Sequence, residues 1–191
     1  WGVHYFDLFR WVLGEVGPVS AVALGGQFAV PDARDVPDTM EAVFEFASGR
    51  LLIFGQYEAS GNPIFVHSAD VELRGTLGTI YATGSYYKVV PERGGQFQSR
   101  DPRMEPMEAK SPDGNLDVAH MRNFLDCIKS REKPNADVEE GHRSTVIAHL
   151  GNIALATRSR IDWDPEREVI TNNEEANELL HYEYRKPWTL G

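Results

Sequence analysis

The feature that most constrains this chain is that its strand-like segments are clustered rather than interleaved with helices. Residues 39–47 alternate: Met40, Ala42, Phe44 and Phe46 fall on one side, and Thr39, Glu41 and Glu45 mostly on the other. That is the period of a strand with one buried face. Ser48-Gly49-Arg50 follows, and a further apolar run over 51–59 begins at once, a spacing that predicts a hairpin. Ser60-Gly61-Asn62-Pro63 breaks the run. Residues 66–74 alternate again, Gly75 and Gly78 bracket a tight turn into 79–82, and 86–90 reads as another short strand. An apolar, small-residue stretch over 19–30 opens the series. Alternation with two unlike faces predicts a largely antiparallel sheet.

Helical patterns lie outside this block. Before it, Phe6, Phe9 or Arg10, and Leu13 recur at helical spacing over 4–13, and Gly14 stops the run. After it, Asp117 is the expected N-cap of a helix whose stripe is Val118, Met121, Phe124, Leu125 and Ile128. Asp137 opens another, with Val146, Ile147, Leu150, Ile153 and Ala154 inward, and 174–180 reads as a last short helix. Residues 91–114 are rich in Pro, Gly, Arg, Glu and Ser, so 91–116 is expected as a long loop. Helix, many strands, then helices is an α+β order, not a βαβ series. The expectation is one α+β domain over 1–191, an open, mainly antiparallel sheet with helices on one face.

Composition narrows the functions. The chain carries 29 acidic against 19 basic residues, a net charge of −10. Its acidic groups are spread along the sequence, which argues against nucleic acid. One cysteine, Cys127, allows neither a disulfide framework nor a CxxC pair. It falls in an apolar helical pattern and reads as packing. No apolar run reaches the ~20 residues that span a bilayer. Gly25-Gly26 and Gly94-Gly95 have no helix behind them, so no phosphate cradle is recognisable. His142 and His149 stand seven apart on one helix, too far for a single metal, and no metal is expected.

The opening segment holds the chemistry. Gly2, His4, Asp7 and Trp11 are spaced so that, on a helix, His4 and Asp7 share a face one turn apart. A histidine there exchanges a proton near neutral pH, and a nearby carboxylate fixes its tautomer. From spacing alone, a packed histidine beside a helix carboxylate is the simpler reading. Gln56 and Tyr57 end a strand and suit carbohydrate hydroxyls, although a solvated sheet face explains them equally well; His142 near a helix start has the reach of a ligand contact or of an acidic partner.

These residues carry a resemblance. Gly-x-His-x-x-Asp-x-x-x-Trp-x-x-Gly over 2–14 resembles the signature that opens the C-terminal domain of the glucose–fructose oxidoreductase/inositol dehydrogenase (Gfo/Idh/MocA) family. Arg74-Gly75-Thr76-Leu77-Gly78-Thr79-Ile80 is similar to that family's strand–turn–strand element. Residues 120–144, HMRNFLDCIKSREKPNADVEEGHRS, resemble its late helix, loop and helix. The tail, with Trp163-Asp164-Pro165, Glu175-Ala176-Asn177 and Tyr184-Arg185-Lys186-Pro187-Trp188, is similar to a bacterial branch.

The resemblance implies a two-domain dehydrogenase. In that family a Rossmann domain, absent from this chain, binds NAD or NADP, and the C-terminal α+β domain binds substrate. A Lys of a Glu-Lys-Pro motif in the first domain works with an Asp-x-x-x-His pattern. His4 matches that His and is the implied catalytic residue; the Asp would fall one position before Trp1. Asp7 then orients the helix or contacts substrate, a structural role being as fitting; Gln56, Tyr57 and His142 stand as further candidate substrate contacts from their residue chemistry alone. Glu132-Lys133-Pro134 repeats the tripeptide's letters, but lies in the wrong domain and reads as a helix-ending loop. The substrate class implied is a sugar, polyol or glycoside. NAD or NADP is expected in the full-length protein and none on this chain, which alone would be inactive. The free sheet face implies a homo-oligomer, since one apolar face left open would aggregate. No nucleic-acid or membrane partner is expected. Cytoplasmic location is favoured, and export stays open because the N-terminus is missing. Two alternatives remain: a cofactor-free binding or assembly domain, and NAD-assisted glycoside cleavage by the full-length protein.

Overall fold

The computed structural model describes residues 2–62, 69–111 and 115–189. The chain divides into two compact units, one of Trp1–Gly61 with Ala136–Gly191, the other Asn62–Asn135.

The first unit opens with α1 (Gly2–Leu13). Three strands follow, β1 (Pro18–Gly26), β2 (Thr39–Phe46) and β3 (Leu51–Tyr57). After the second unit come α3 (Val138–Thr157), β8 (Ile161–Asp164), β9 (Val169–Ile170) and α4 (Glu174–Glu178). The strands form one antiparallel sheet in the order β3-β2-β1-β8-β9. The β2–β3 hairpin is closed by Phe46 N–H to Arg50 O at 3.0 Å, and Gly49 takes φ +81°, a value that favours glycine. Gly14 ends α1 at φ +68°.

The helices cover one face of this sheet. Met40, Ala42, Phe44 and Phe46 are buried there with Ala21 and Ala23, as the alternation predicts. Phe6 of α1 meets Phe44 and Phe54 edge-on at ring distances of 5.5 and 5.1 Å, and Phe9 lies 5.0 Å from Phe46. α3 buries Ser144, Ile147, Leu150, Gly151, Ile153 and Ala154, a helical stripe. Its N-cap is Asp137, as expected, whose side chain accepts from Glu139 N–H. The other face leaves Val22, Leu24, Leu51 and Ile53 exposed, and Val22, Val43 and Ile53 pair in a row across three strands.

The short strands β8 and β9 escape the sequence reading. They are too brief to establish a period, yet Ile161, Trp163 and Ile170 are all buried. α4 ends at Glu178, two residues early, with its carbonyls met by Leu179 N–H.

The second unit is a meander, β4 (Val71–Arg74), β5 (Gly78–Ala82), β6 (Tyr86–Pro91) and β7 (Met107–Lys110), all antiparallel in that order. Gly75 N–H closes on Gly78 O at 3.0 Å, the expected turn. The predicted strand's 66–68 portion lies outside the described residues, as do Pro63 and 112–114 of the expected loop. That loop is more ordered than its composition implies. β7 pairs with β6, and Arg103 donates to Thr76 O at 2.8 Å; backbone pairing needs no apolar period, which is why Met107–Lys110, exposed throughout, gives no signal. α2 (Leu116–Ser130) is capped by Asn115, not Asp117: the Asn115 side chain accepts from both Asp117 and Val118 N–H. Its predicted stripe is present, but no described residue of α2 is buried.

Candidate functional site

α1 lies along the helix-covered face with its N-terminus toward the sheet end where Gly26, Thr39 and Tyr57 are paired. Its orientation is set by the Phe6 and Phe9 contacts and by Gly2, where an added Cβ would lie 3.4 Å from Phe54 Cζ. His4 and Asp7 are both exposed, while Phe6, Phe9 and Arg10 are buried. The helix therefore presents His4 on its open side and is anchored by Phe6, Phe9 and Arg10, with Asp7 at the boundary between the two.

Arg10 is the anchor. Its side chain is 6% exposed, and it spends its donors on four acceptors. Nε donates to Val16 O at 3.0 Å; Nη1 to Glu140 O at 3.1 Å and Ser144 Oγ at 2.9 Å; Nη2 to Glu140 Oε2 at 2.9 Å. Ser144, fully buried, donates in turn to Asp7 Oδ1 at 3.0 Å. A buried charge is tolerable only when paired and hydrogen-bonded, and here both conditions hold. Asp7 is thus tied to α3 through a buried hydroxyl.

The remaining sequence candidates do not converge. Gln56 shares the helix-covered face with Phe54, at the same sheet end as the α1 N-terminus, and donates to Glu58 Oε1 at 3.1 Å. Tyr57, next along the strand, lies on the opposite face; its hydroxyl sits 2.7 Å from where a Gly55 Cβ would be. His142 stands two residues before Ser144, about 200° round the helix from it, and so faces away from α1. Its Nε2 meets Glu168 Oε1 at 2.6 Å, tying α3 to the β8–β9 turn.

The same sheet end holds a group that sequence reasoning missed. Asp38 is fully buried, and its Oδ2 accepts from the N–H groups of Phe28, Ala29 and Val30 at 2.8–2.9 Å. Oδ1 accepts from Thr39 Oγ1 at 2.8 Å. Those backbone donors, Val30 and Ala29 foremost, hold its carboxyl far below the usual carboxylate range. Asp32, Asp35 and Asp38 look alike in sequence, so only the turn of the chain singles out Asp38. Arg10 had a weak signal, an arginine within the apolar stripe of the first helix.

Neither glycine pair fits a nicotinamide dinucleotide. Gly25 and Gly26 end β1, and a Cβ on Gly25 would lie 2.3 Å from Thr39 O, so its bareness serves strand packing. Gly94 would meet Ser99 O at 2.1 Å inside its own loop. No helix N-terminus follows either pair. Among the described residues there is no group of three His, Cys, Asp or Glu able to hold a metal, and no helix long and apolar enough to cross a membrane.

Comparison with known proteins gives the family. Residues 2–190 match the Gfo/Idh/MocA model described as the oxidoreductase family, C-terminal alpha/beta domain. No curated protein matches. Among solved structures, the chain is similar to the WlbA dehydrogenase of Bordetella pertussis, solved with NADH and UDP-GlcNAcA, at TM-score 0.52 and 16% identity over 85% of this chain and 43% of that one. The aldose-aldose oxidoreductase of Caulobacter crescentus, complexed with glycerol, gives TM-score 0.57 and 14% identity over 84% and 45%. The oxidoreductase YvaA of Bacillus subtilis gives 0.63 and 14% over 85% and 51%. The chain therefore spans about half the length of these proteins, and the likeness at such identities is one of fold. With the match extending from α1 through both sheets to the tail, this chain belongs to the Gfo/Idh/MocA oxidoreductase family, as its C-terminal α/β domain.

Proposed function

We propose that this chain is the substrate-binding half of an NAD- or NADP-dependent oxidoreductase acting on a sugar, polyol or glycoside hydroxyl. The observation that carries the reading is the exposed His4 at the open end of a helix locked from behind by Arg10. Oxidising a secondary alcohol requires that its hydroxyl proton leave as the carbon is oxidised. On this reading His4 takes that proton, and Gln56 binds a neighbouring hydroxyl. The dinucleotide is held outside this chain, because neither glycine pair fits it. That related folds were solved with NADH and a nucleotide sugar, or with glycerol, supports a hydroxyl-rich substrate. The exposed Val22, Leu24, Leu51 and Ile53 support a second copy of the chain as the cover of the open sheet face.

The test is a polyol and sugar panel with NAD and NADP, using the full-length protein and its His4→Asn variant. The expected result is nicotinamide reduction with at least one substrate class, and a loss of about a hundredfold or more in kcat for the variant. Turnover untouched by His4→Asn would remove the base assignment. Absence of any reduction by full-length protein would favour the binding or assembly role. Release of a free sugar from glycosides, dependent on catalytic NAD, would favour glycoside cleavage.

A further inference from the structure

We infer that Ser144, clamped by Arg10, is a positioning residue that holds Asp7 and with it the His4 end of α1; this rests on the reading of His4 as the proton acceptor. The clamp is a chain of charge-assisted bonds between two helices: Arg10 Nη1 to Ser144 Oγ at 2.9 Å, then Ser144 Oγ to Asp7 Oδ1 at 3.0 Å. Ser144 has one proton and gives it to Asp7. The guanidinium supplies the donor its oxygen accepts, so the direction of the chain is fixed. Arg10 is held in place, because Glu140 O, Glu140 Oε2 and Val16 O occupy three of its four other N–H donors.

The consequence lies in the helix's rotation about its own axis. Phe6 and Phe9 fix the depth and heading of α1 on the sheet, but ring packing tolerates a small rotation of the helix more readily than hydrogen bonds do. The bonds at Asp7 and Arg10 are directional: Asp7 lies one turn beyond His4 on the same face, and Arg10 a further turn on, towards the buried side. They set which way His4 points. A displacement of ~1 Å at a reacting group can cost up to a hundredfold in rate, so holding this rotation has catalytic value. Asp7 then works as a hydrogen-bond acceptor, and its charge is not used on the substrate.

Two features make the idea testable. Ser144→Ala is nearly isosteric, leaves Arg10 Nη1 its bond to Glu140 O, and leaves Asp7 to water, so the fold is kept. Asp7→Asn retains an acceptor oxygen for Ser144, whereas Asp7→Ala removes it. In the full-length protein, Ser144→Ala and Asp7→Ala are expected to lower kcat about tenfold with KM within about twofold. Asp7→Asn is expected to stay near the parent. In protein carrying 13C-labelled histidine, the His4 ring signal, assigned by its loss in His4→Asn, is expected to move in Ser144→Ala and Asp7→Ala and to return in Asp7→Asn. Thermal midpoints of all variants serve as the check on folding.

The inference is overturned if Ser144→Ala leaves both kcat and the His4 signal unchanged, or if Asp7→Asn is as impaired as Asp7→Ala. Should His4→Asn keep its turnover while the His4 signal still moves in Ser144→Ala, the clamp stands and the base assignment falls. The two failures are therefore separable.

Discussion

Two glycines on one helix should respond to the same substitution with opposite sign. Gly141 and Gly151 both lie within α3, and alanine in a helix interior is favoured over glycine by ~0.8–1 kcal/mol. Around Gly141 an added Cβ would meet nothing within 4 Å. Gly141→Ala should therefore gain about 0.5–1 kcal/mol, the lower end because the site is close to the helix start. At Gly151 the Cβ would lie 3.1 Å from Phe44 Cζ and 3.3 Å from Met40 Cε. The methionine end can swing aside. The Phe44 ring, 1% exposed and held edge-on by Phe6 at 5.5 Å, cannot. Overpacking costs ~1–3 kcal/mol, so the net for Gly151→Ala is a loss of about 0–2 kcal/mol. Thermal unfolding followed by circular dichroism separates the cases, since 1 kcal/mol moves Tm by ~2–4 °C in a chain of this size. Equal stabilisation by both alanines would refute the packing of α3 against β2 described above.

Two further outcomes follow from the same geometry. Asp38→Asn should lower the urea midpoint at neutral pH, because an amide replaces one accepting oxygen with a donor facing backbone N–H groups. The folded carboxyl is held below its unfolded value of ~3.9, so its contribution is complete above that value and is lost as pH falls further. The gap between parent and variant should then narrow below about pH 4, and a gap constant down to acid would refute this. Separately, if a second copy covers the open face as proposed, Ile53→Lys and Leu24→Glu, both on exposed positions of that face, should dissociate the proposed homo-oligomer to protomers that melt near the parent midpoint. Sedimentation of the parent as a monomer would end that proposal.

The sequence made some of this legible for reasons that can be stated. β2 was readable because Met40, Ala42, Phe44 and Phe46 face one packed layer, so burial and period coincide. The end of α1 was readable because Gly14 adopts a positive φ. Asn115-Leu116-Asp117 and Asn135-Ala136-Asp137 offer the same pair of capping residues, and the cap is the Asn in the first and the Asp in the second; both residue types cap helices equally well, so Asp137 was read correctly and Asn115 was missed in favour of Asp117. β7 was missed because its residues are all exposed and its pairing is made by backbone alone. The site followed the same division. His4 and Asp7 stood out by spacing. The partner of Asp7, Ser144, is 137 residues away, and Arg10, which donates to Ser144, is disguised as one more position of an apolar stripe. Gln56 and Tyr57 were grouped as neighbours in sequence, although adjacent strand residues point to opposite faces.

The knot of bonds at Asp38 also bears on how this protein can vary. Asp38 receives Phe28, Ala29 and Val30, its own N–H reaches Gly26 O, and its carbonyl accepts from Glu58 N–H. The loop between Val30 and Asp38 is therefore pinched at its neck, with the ends of β1 and β3 gathered into one point. Whatever lies beyond the neck can be exchanged or lengthened at little expense to the sheet, since lengthening a loop by a factor of two costs only ~0.6 kcal/mol of closure entropy. Such a neck works as a cassette boundary: it lets the residues bordering the His4 end of the sheet diversify while the scaffold stays fixed.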